Sequence, residues 1–285
     1  MKDVTNAMRA HILTAAVPYI KQYTDQYVVV KYGGNAMIDE ELKKSVMKDL
    51  MLLQLVGVKV VLVHGGGPAI NSTLDAMKIE SRFANGLRVT DEATMDVVQM
   101  VLAGKVNKRL VADLTDLGGK AVGLCGVDGN MIQVHKQNDE LGYVGSIDTI
   151  DTSIIDDVIS RGYIPVISSI GMGADGKTYN INADTVAAKI AGALKAETMV
   201  AMTNIDGVLR DVHDPSSLIS KITMAEADQL KAEGIIAGGM IPKVDCCLEA
   251  IKSGAQKVFI INGEIPHAIL IELLTDEGLG TMFVK

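Results

Sequence analysis

The chain is poor in cysteine and in aromatic residues. Its 285 residues include three Cys, three Phe, seven Tyr and no Trp. Cys125 and the adjacent pair Cys246 and Cys247 lack the spacing of a zinc site, and an odd number of cysteines does not suggest a disulfide framework. We therefore expect reduced thiols and a cytoplasmic protein.

Positive charge and long apolar runs are also scarce. The formal net charge is -8, which together with the few aromatic side chains provides little to attract or stack nucleic acid. No apolar run approaches the ~20 residues of a membrane span, and the first residues lack the basic and apolar pattern of a signal peptide. The expected partners therefore include neither nucleic acid nor a membrane.

Strand and helix patterns alternate along most of the sequence. The β-branched run in 26–31 stops at glycines before a helical pattern, and the run in 59–63 repeats this plan. The alternation predicts an α/β fold, a three-layer αβα sandwich around a mainly parallel sheet. An extra amphipathic helix, Val4–Tyr23, precedes the first strand and is expected to break near Val17 because of Pro18. Its apolar stripe is expected to pack on its own chain or on a partner subunit, and the sequence alone does not choose between them.

Two glycine loops follow the first two predicted strands, at Gly33–Gly34 and Gly65–Gly67. Glycines let backbone N–H groups approach a phosphate, and a following helix N-terminus favours negative charge. The second loop also resembles a lipase oxyanion loop, but the chain has no Gly-x-Ser-x-Gly nucleophile motif. Residues 171–176 have the spacing of a dinucleotide fingerprint, yet 177–181 has an extended pattern, so a hairpin is expected there instead.

Polar residues collect at the predicted strand ends and helix starts. Asn182 is a natural N-cap for a helix of small residues, and Asp184 falls in its first turn. Capping alone would explain both residues. The wider set adds cations and further polar groups: Lys31, Arg88, Asn180, Asn204, Asp206 and Lys243. Arg88 lies in a predicted loop, 83–90, and a helix is expected to follow from Asp91 to about Ala103. Lysines and backbone amides around a phosphate-sized space suit phosphoryl transfer, in which catalysis is mostly positioning and charge stabilisation.

The blocks VVVKYGGNAM, VLVHGGGPAI, NGLRVT, NINADTVAAKIA, TNIDGVL and GGMIPKVDCCLEAI occur in this order. They resemble the amino-acid kinase family, and within it the branch that phosphorylates the side-chain carboxylate of N-acetyl-L-glutamate with MgATP in arginine biosynthesis. The resemblance runs from about Tyr27 to the C-terminus. It implies an N-terminal helix in 1–25 and a kinase domain in 26–285, with an acyl-substrate lobe at about 26–180 and a nucleotide lobe at about 181–285.

The resemblance also implies a role for each candidate residue. Lys31 and Lys243 neutralise the transferred phosphoryl group and the nucleotide phosphates, and Asp184 orients both lysines. Mg²⁺ is expected to be held mainly by the ATP phosphates. The remaining matches are to residues that bind the acyl substrate (Gly34, Gly66, Gly67, Arg88 and Asn180) and the nucleotide (Lys31, Asn204, Asp206 and Lys243).

The arginine-inhibited type within that branch is similar in its N-terminal helix and in the C-terminal residues Glu272 and Gly278. This similarity implies L-arginine as an inhibitor bound near those two residues, and a hexamer built as a trimer of dimers. The alternative for Glu272 is an ordinary solvated helix carboxylate. A PII-type protein partner stays open.

Two other functions compete with this interpretation. One is another kinase of the family, acting on glutamate, aspartate or carbamate, although NGLRVT and NINAD disfavour it. The other is a non-catalytic arginine sensor on the same scaffold, which the presence of Lys31, Asp184 and Lys243 disfavours.

Overall fold

A computed structural model describes residues 5–37 and 39–285. Its centre is an eight-stranded sheet. The strands are numbered by their order in the chain, and from one edge of the sheet to the other they are β12 (Lys221–Thr223), β14 (Thr281–Val284), β13 (Lys257–Asn262), β11 (Thr198–Thr203), β1 (Tyr27–Tyr32), β2 (Lys59–His64), β8 (Ile164–Ser168) and β5 (Ala121–Cys125). Neighbouring strands are parallel except for β13 and β14, which are antiparallel. The predicted mainly parallel sheet is thus confirmed.

Helices cover both faces of this sheet. One apolar cluster packs the sheet against α7 (Ser153–Ser160), α8 (Ala183–Ala193), α9 (Met224–Ala232) and α10 (Met240–Ser253). The other packs it against α2 (Val17–Tyr23), α3 (Glu40–Leu55), α6 (Asn107–Asp116) and α11 (Ala268–Leu274). Alternate residues of β1 enter the two clusters, Val29 the first and Val28 and Val30 the second, because successive side chains of a strand point to opposite faces. This arrangement is the predicted three-layer sandwich.

The parallel register brings the carboxyl ends of the central strands to one edge of the sheet. Lys31 pairs with Val63 of β2 and with Ala201 of β11, and His64 pairs with Ser168 of β8. The first glycine loop therefore lies next to the second, and α4 (Gly67–Met77) begins within the second loop. Ligands of open α/β sheets bind at this edge.

A smaller sheet contains β6 (Ile132–Lys136), β7 (Gly145–Ile150), β9 (Ile170–Gly173) and β10 (Thr178–Asn180). Gly171 and Gly173 belong to β9, and Gly176 lies in the turn that leads to the antiparallel strand β10, so the hairpin interpretation of this stretch is correct. At the N-terminus, α1 (Asn6–Ala15) and α2 are separated at Ala16, with Pro18 in the first turn of α2. The predicted start of this helix, Val4, lies outside the described residues.

Two local predictions were wrong. Residues 83–90 were expected to form a loop, but β3 (Arg82–Ala84) and β4 (Leu87–Val89) form an antiparallel hairpin that carries Arg88 within a strand. The helix starting at Asp91 was expected to end near Ala103. Instead α5 (Glu92–Gln99) continues through a π-helical segment, Met100–Val106, directly into α6. Tertiary packing overrides the helix-breaking preference of the glycine within that segment. Across the described part of the chain, none of the helices is both long and apolar enough to cross a membrane.

Candidate active site

An ion pair between β1 and α8 lies at the edge of the sheet. Asn182 caps α8, since its Oδ1 accepts hydrogen bonds from the backbone N–H groups of Asp184 at 2.8 Å and Thr185 at 3.4 Å. This cap fixes the first turn of α8 against the end of β1. The Asp184 Oδ1 atom lies 3.0 Å from Lys31 Nζ, and the two side chains are 27% and 14% exposed. The carboxylate thus holds the lysine at the strand end.

Lys243 belongs to the same electrostatic group. It lies in the first turns of α10, which packs along α8. Burial lowers the pKa of Lys243, the charge of Asp184 opposes that decrease and the charge of Lys31 adds to it. Asp184 forms an ion pair with Lys31, whereas its charge acts on Lys243 by raising the pKa of that lysine. A second cation close to Lys31 favours binding of a polyanion.

A cavity of about 170 Å³ opens beside the second glycine loop. Its walls come from the glycine loop, the β3–β4 hairpin and the start of α8, including Gly66, Gly67, Arg88, Asn180 and Asn182. The described residues that line it do not include Gly34, which begins a 3₁₀ turn after β1 with a φ of 71°. The structure therefore brings together four of the five predicted acyl-substrate residues around one space.

Arg88 is the buried cation of this cavity. Its guanidinium donates to Asn71 Oδ1 at 2.6 Å and to Ser81 Oγ at 2.5 Å, and it stacks over the Phe83 ring at 4.7 Å. Burial lowers its pKa. Within the described chain its side-chain partners are neutral, so its charge is not compensated by a carboxylate. An uncompensated guanidinium in a cavity is suited to a ligand carboxylate.

Asn180 also lines the cavity. Its backbone N–H donates to the Tyr143 carbonyl at 2.9 Å, and its Nδ2 donates to Thr90 Oγ1 at 3.3 Å. Thr90 in turn donates to the Arg88 carbonyl at 2.8 Å. One threonine therefore connects the Asn180 side chain to the backbone of Arg88.

Asn204 and Asp206 lie in the loop after β11, and both are exposed. Asp206 Oδ1 accepts a hydrogen bond from Asn262 Nδ2 at 2.8 Å, which joins the carboxyl ends of β11 and β13. This loop does not line the cavity beside the glycine loop. It belongs to the other half of the sheet edge.

Glu272 and Gly278 form a separate group in the C-terminal region. The Glu272 carboxylate accepts hydrogen bonds from the N–H groups of Leu279 at 2.6 Å and Gly280 at 3.1 Å, and burial raises its pKa. A Cβ atom on Gly278 would lie 3.1 Å from Glu272 Oε1. Glu272 is therefore not the ordinary solvated carboxylate of the alternative interpretation, because it holds the following loop.

Sequence reasoning missed several supporting residues. These are the partners of Arg88, Asn180 and Asp206 described above: Asn71, Ser81, Thr90 and Asn262. Most of them act across distant parts of the chain, and no spacing pattern marks them. Only the fold reveals these contacts.

Comparisons with known proteins show what the chain is similar to. The amino acid kinase family model matches residues 26–262. A protein of Brachyspira hyodysenteriae named acetylglutamate kinase is 52% identical over 287 residues, covering 100% of both chains. A protein of the same name from Clostridium kluyveri is 54% identical over 275 residues, covering 96% of this chain and 97% of that protein.

Solved structures share the fold. The N-acetylglutamate synthase of Neisseria gonorrhoeae, complexed with coenzyme A and N-acetylglutamate, matches with a TM-score of 0.84 and 28% identity. That match covers 97% of this chain, which spans 63% of the synthase. The carbamate kinase of Giardia lamblia bound to AMP-PNP matches with a TM-score of 0.66 and 16% identity, covering 91% of this chain and 98% of that one.

Proposed function

We propose that this chain, which belongs to the amino acid kinase family, transfers the γ-phosphoryl group of ATP to the side-chain carboxylate of N-acetyl-L-glutamate. The observation that carries the proposal is the cavity that brings an uncompensated Arg88 and the backbone of Gly66 and Gly67 together next to the Lys31–Asp184 pair. The names of the relatives at 52% and 54% identity support the same acceptor. The products are ADP and an acyl phosphate. A carboxylate oxygen forms a bond to the γ-phosphorus of ATP, and the bond between that phosphorus and the β,γ-bridging oxygen breaks.

The acceptor itself explains why a general base is not needed. A glutamate side-chain carboxylate has an ordinary pKa of about 4.3 and is ionised and nucleophilic at neutral pH. Arg88 binds the α-carboxylate and Asn180 helps to hold the substrate. The N–H groups of Gly34, Gly66 and Gly67 donate to the phosphoryl group and the substrate.

The cationic residues act on the phosphates. Lys31 balances the charge of the transferred phosphoryl group, Lys243 contacts the nucleotide phosphates, and Asp184 orients these lysines. Asn204 and Asp206 extend the nucleotide site along the sheet edge. These roles divide the chain into an acyl-substrate lobe at about 26–180 and a nucleotide lobe at about 181–285.

Mg²⁺ fits this site as a companion of the nucleotide. The described residues contain no group of three or more His, Cys, Asp or Glu side chains arranged for a metal, and the carboxylate of Asp184 is already paired with Lys31. Mg²⁺ commonly keeps several waters and binds through substrate phosphates. When bound, it would neutralise phosphate charge, while this chain supplies the lysines around it.

The test is ADP release from MgATP with N-acetyl-L-glutamate, with free L-glutamate and without an acceptor. We expect turnover with the acetylated substrate, since free glutamate adds a charged amino group to a cavity that already contains Arg88. Comparable turnover with free glutamate would identify another kinase of the family. No turnover with any acceptor would favour the non-catalytic sensor.

Regulation by L-arginine is the second part of the proposal. Glu272 and Gly278 belong to the proposed effector site. The Tyr19 hydroxyl of α2 donates to Asp276 in the loop that follows Glu272, so the N-terminal helices contact this loop. Inhibition by L-arginine in the ADP assay, reduced by Glu272→Gln, is expected. Turnover that ignores L-arginine would remove the effector assignment and leave the kinase.

The N-terminal helix is proposed to join dimers into a hexamer, a trimer of dimers. Its large apolar side chains are strongly exposed, with Ile12 at 56% and Leu13 at 72%. An exposed apolar face of this kind is typical of a protein–protein interface. Leu13→Glu should reduce the assembly measured by light scattering, and an unchanged mass would contradict the proposal. We place this enzyme in the cytoplasm, where its three cysteines stay free.

A further inference from the structure

His64 is a buried histidine immediately before the glycine loop. It ends β2 and has no exposed surface. Its Nδ1 lies 2.9 Å from the Gly65 carbonyl oxygen, and its Nε2 lies 3.1 Å from Nδ2 of Asn107 at the start of α6. Both ring nitrogens therefore have a partner, and His64 is not among the residues that line the cavity.

The surroundings of Asn107 determine which atoms carry protons. Its Nδ2 also lies 2.8 Å from the Val166 carbonyl and 3.3 Å from the Leu124 carbonyl, so this atom must be a donor. Its Oδ1 accepts from Lys108 Nζ at 3.1 Å. Because Asn107 donates to His64 Nε2, the His64 proton is on Nδ1, which donates to Gly65. Burial lowers the pKa of His64 to about 4, so the ring is neutral at physiological pH.

This chain of hydrogen bonds determines the direction of one peptide group. The structure has no cis peptide bonds among the described residues, and in a trans peptide the C=O and N–H point in opposite directions. Since the Gly65 carbonyl points at the His64 ring, the Gly66 N–H points away from it. Gly66 is buried and borders the substrate cavity, and its N–H has no acceptor within 5–37 and 39–285.

We infer that His64 and Asn107 are positioning residues that hold the Gly65–Gly66 peptide with the Gly66 N–H directed at the negative charge that develops during phosphoryl transfer. Neither residue touches substrate. Asn107, which is hydrogen-bonded to carbonyls of β5 and β8, fixes the tautomer of the His64 ring. The ring in turn fixes the orientation of the Gly65–Gly66 peptide. The inference rests on the proposed function and adds to it the groups that orient the loop amide.

Two substitutions at position 64 separate positioning from packing. In His64→Asn the amide nitrogen is attached at Cγ, as Nδ1 is, so it can still donate to Gly65. In His64→Gln the amide lies one bond further out, where it can pair with Asn107 but leaves the Gly65 carbonyl without its donor. Both variants lose ring volume and one hydrogen bond of the chain. They therefore serve as matched controls for each other.

The measurement is kcat and KM for MgATP and N-acetyl-L-glutamate in the full-length wild type and both variants, with melting temperatures alongside. Removing one donor to developing negative charge typically costs 10²–10³-fold in kcat, so we expect His64→Gln to lose about 100-fold and His64→Asn to stay within about tenfold of wild type. Both KM values should change little, because the interaction strengthens in the transition state. Equal losses in the two variants, or full activity of His64→Gln, would overturn the inference.

A second measurement does not depend on the folding of a variant. Long-range ¹H–¹⁵N correlation spectra of the wild-type histidines distinguish a proton on Nδ1 from one on Nε2. We expect His64 to be protonated on Nδ1 alone, and a proton on Nε2 would overturn the inference. An inactive wild type would instead refute the proposed function, so the two failures are distinguishable.

Discussion

The clearest electrostatic prediction concerns Asn71, the neutral partner of Arg88. Because the guanidinium donates to the Asn71 amide oxygen at 2.6 Å, Asn71→Asp would place a carboxylate where that oxygen lies. The new ion pair would compensate the charge that is proposed to bind the α-carboxylate of the substrate. The acceptor would then have to compete with an internal carboxylate of the same type.

The expected size follows from distance and exposure. Two unit charges at about 4 Å interact by roughly 1 kcal/mol in water and roughly 4 kcal/mol at a protein surface. Asn71 is exposed and Arg88 is 7% exposed, so the pair falls toward the lower part of that range. An interaction of about 1–2 kcal/mol corresponds to an increase of about 5- to 30-fold in KM for N-acetyl-L-glutamate.

The assay is steady-state ADP release with each substrate varied in turn, and Asn71→Ala is the control. Asn71→Asp should raise KM for the acceptor and leave both KM for ATP and kcat near the wild-type values. Asn71→Ala removes the hydrogen bond without adding charge, so its KM should rise much less. High salt should reduce the difference, since an exposed charge is screened. An equal rise in both variants, or a rise in KM for ATP alone, would refute the assignment of Arg88.

Two further predictions address the phosphoryl site and the fold. Lys31→Met and Asp184→Asn should each lower kcat by about 10²-fold or more with circular dichroism spectra like those of the wild type, because each removes a preorganised charge; near-normal turnover in either would remove its role. Asp49, whose side chain is 1% exposed and 2.6 Å from His267 Nδ1, has its pKa raised by burial from 3.8 to about 6. The folded state therefore holds this proton more tightly than the unfolded chain, and the stability it contributes is lost as pH rises through about 6. The melting temperature of Asp49→Asn minus that of the wild type should therefore increase between about pH 5 and about pH 7.5. A difference that stays constant over this range would contradict the predicted sign.

Sequence reasoning worked best where the cause is local. Asn182 caps α8 because its side chain reaches N–H groups two and three residues away, and that preference is visible in the residue order. The hairpin that contains 171–176 was likewise assigned correctly from the extended pattern that follows it. The β-branched runs before the glycine loops likewise predicted strands β1 and β2 without any long-range information.

The failures share a different cause. Arg88 was expected on a loop, yet it lies in a strand, is buried, and contacts Phe83, Asn71 and Ser81. The π-helical segment depends on how α5 and α6 pack, and the glycine within it predicts a break instead. Contacts between residues far apart in sequence, such as His64 and Asn107, leave no local pattern.

The most direct test of the central claim is to trap the acyl phosphate itself. With MgATP, N-acetyl-L-glutamate and hydroxylamine, an acyl phosphate becomes a hydroxamate that mass spectrometry can identify. We predict one N-acetylglutamyl hydroxamate for each ADP released, and no comparable hydroxamate with free L-glutamate. ADP release without any hydroxamate would contradict transfer to the carboxylate.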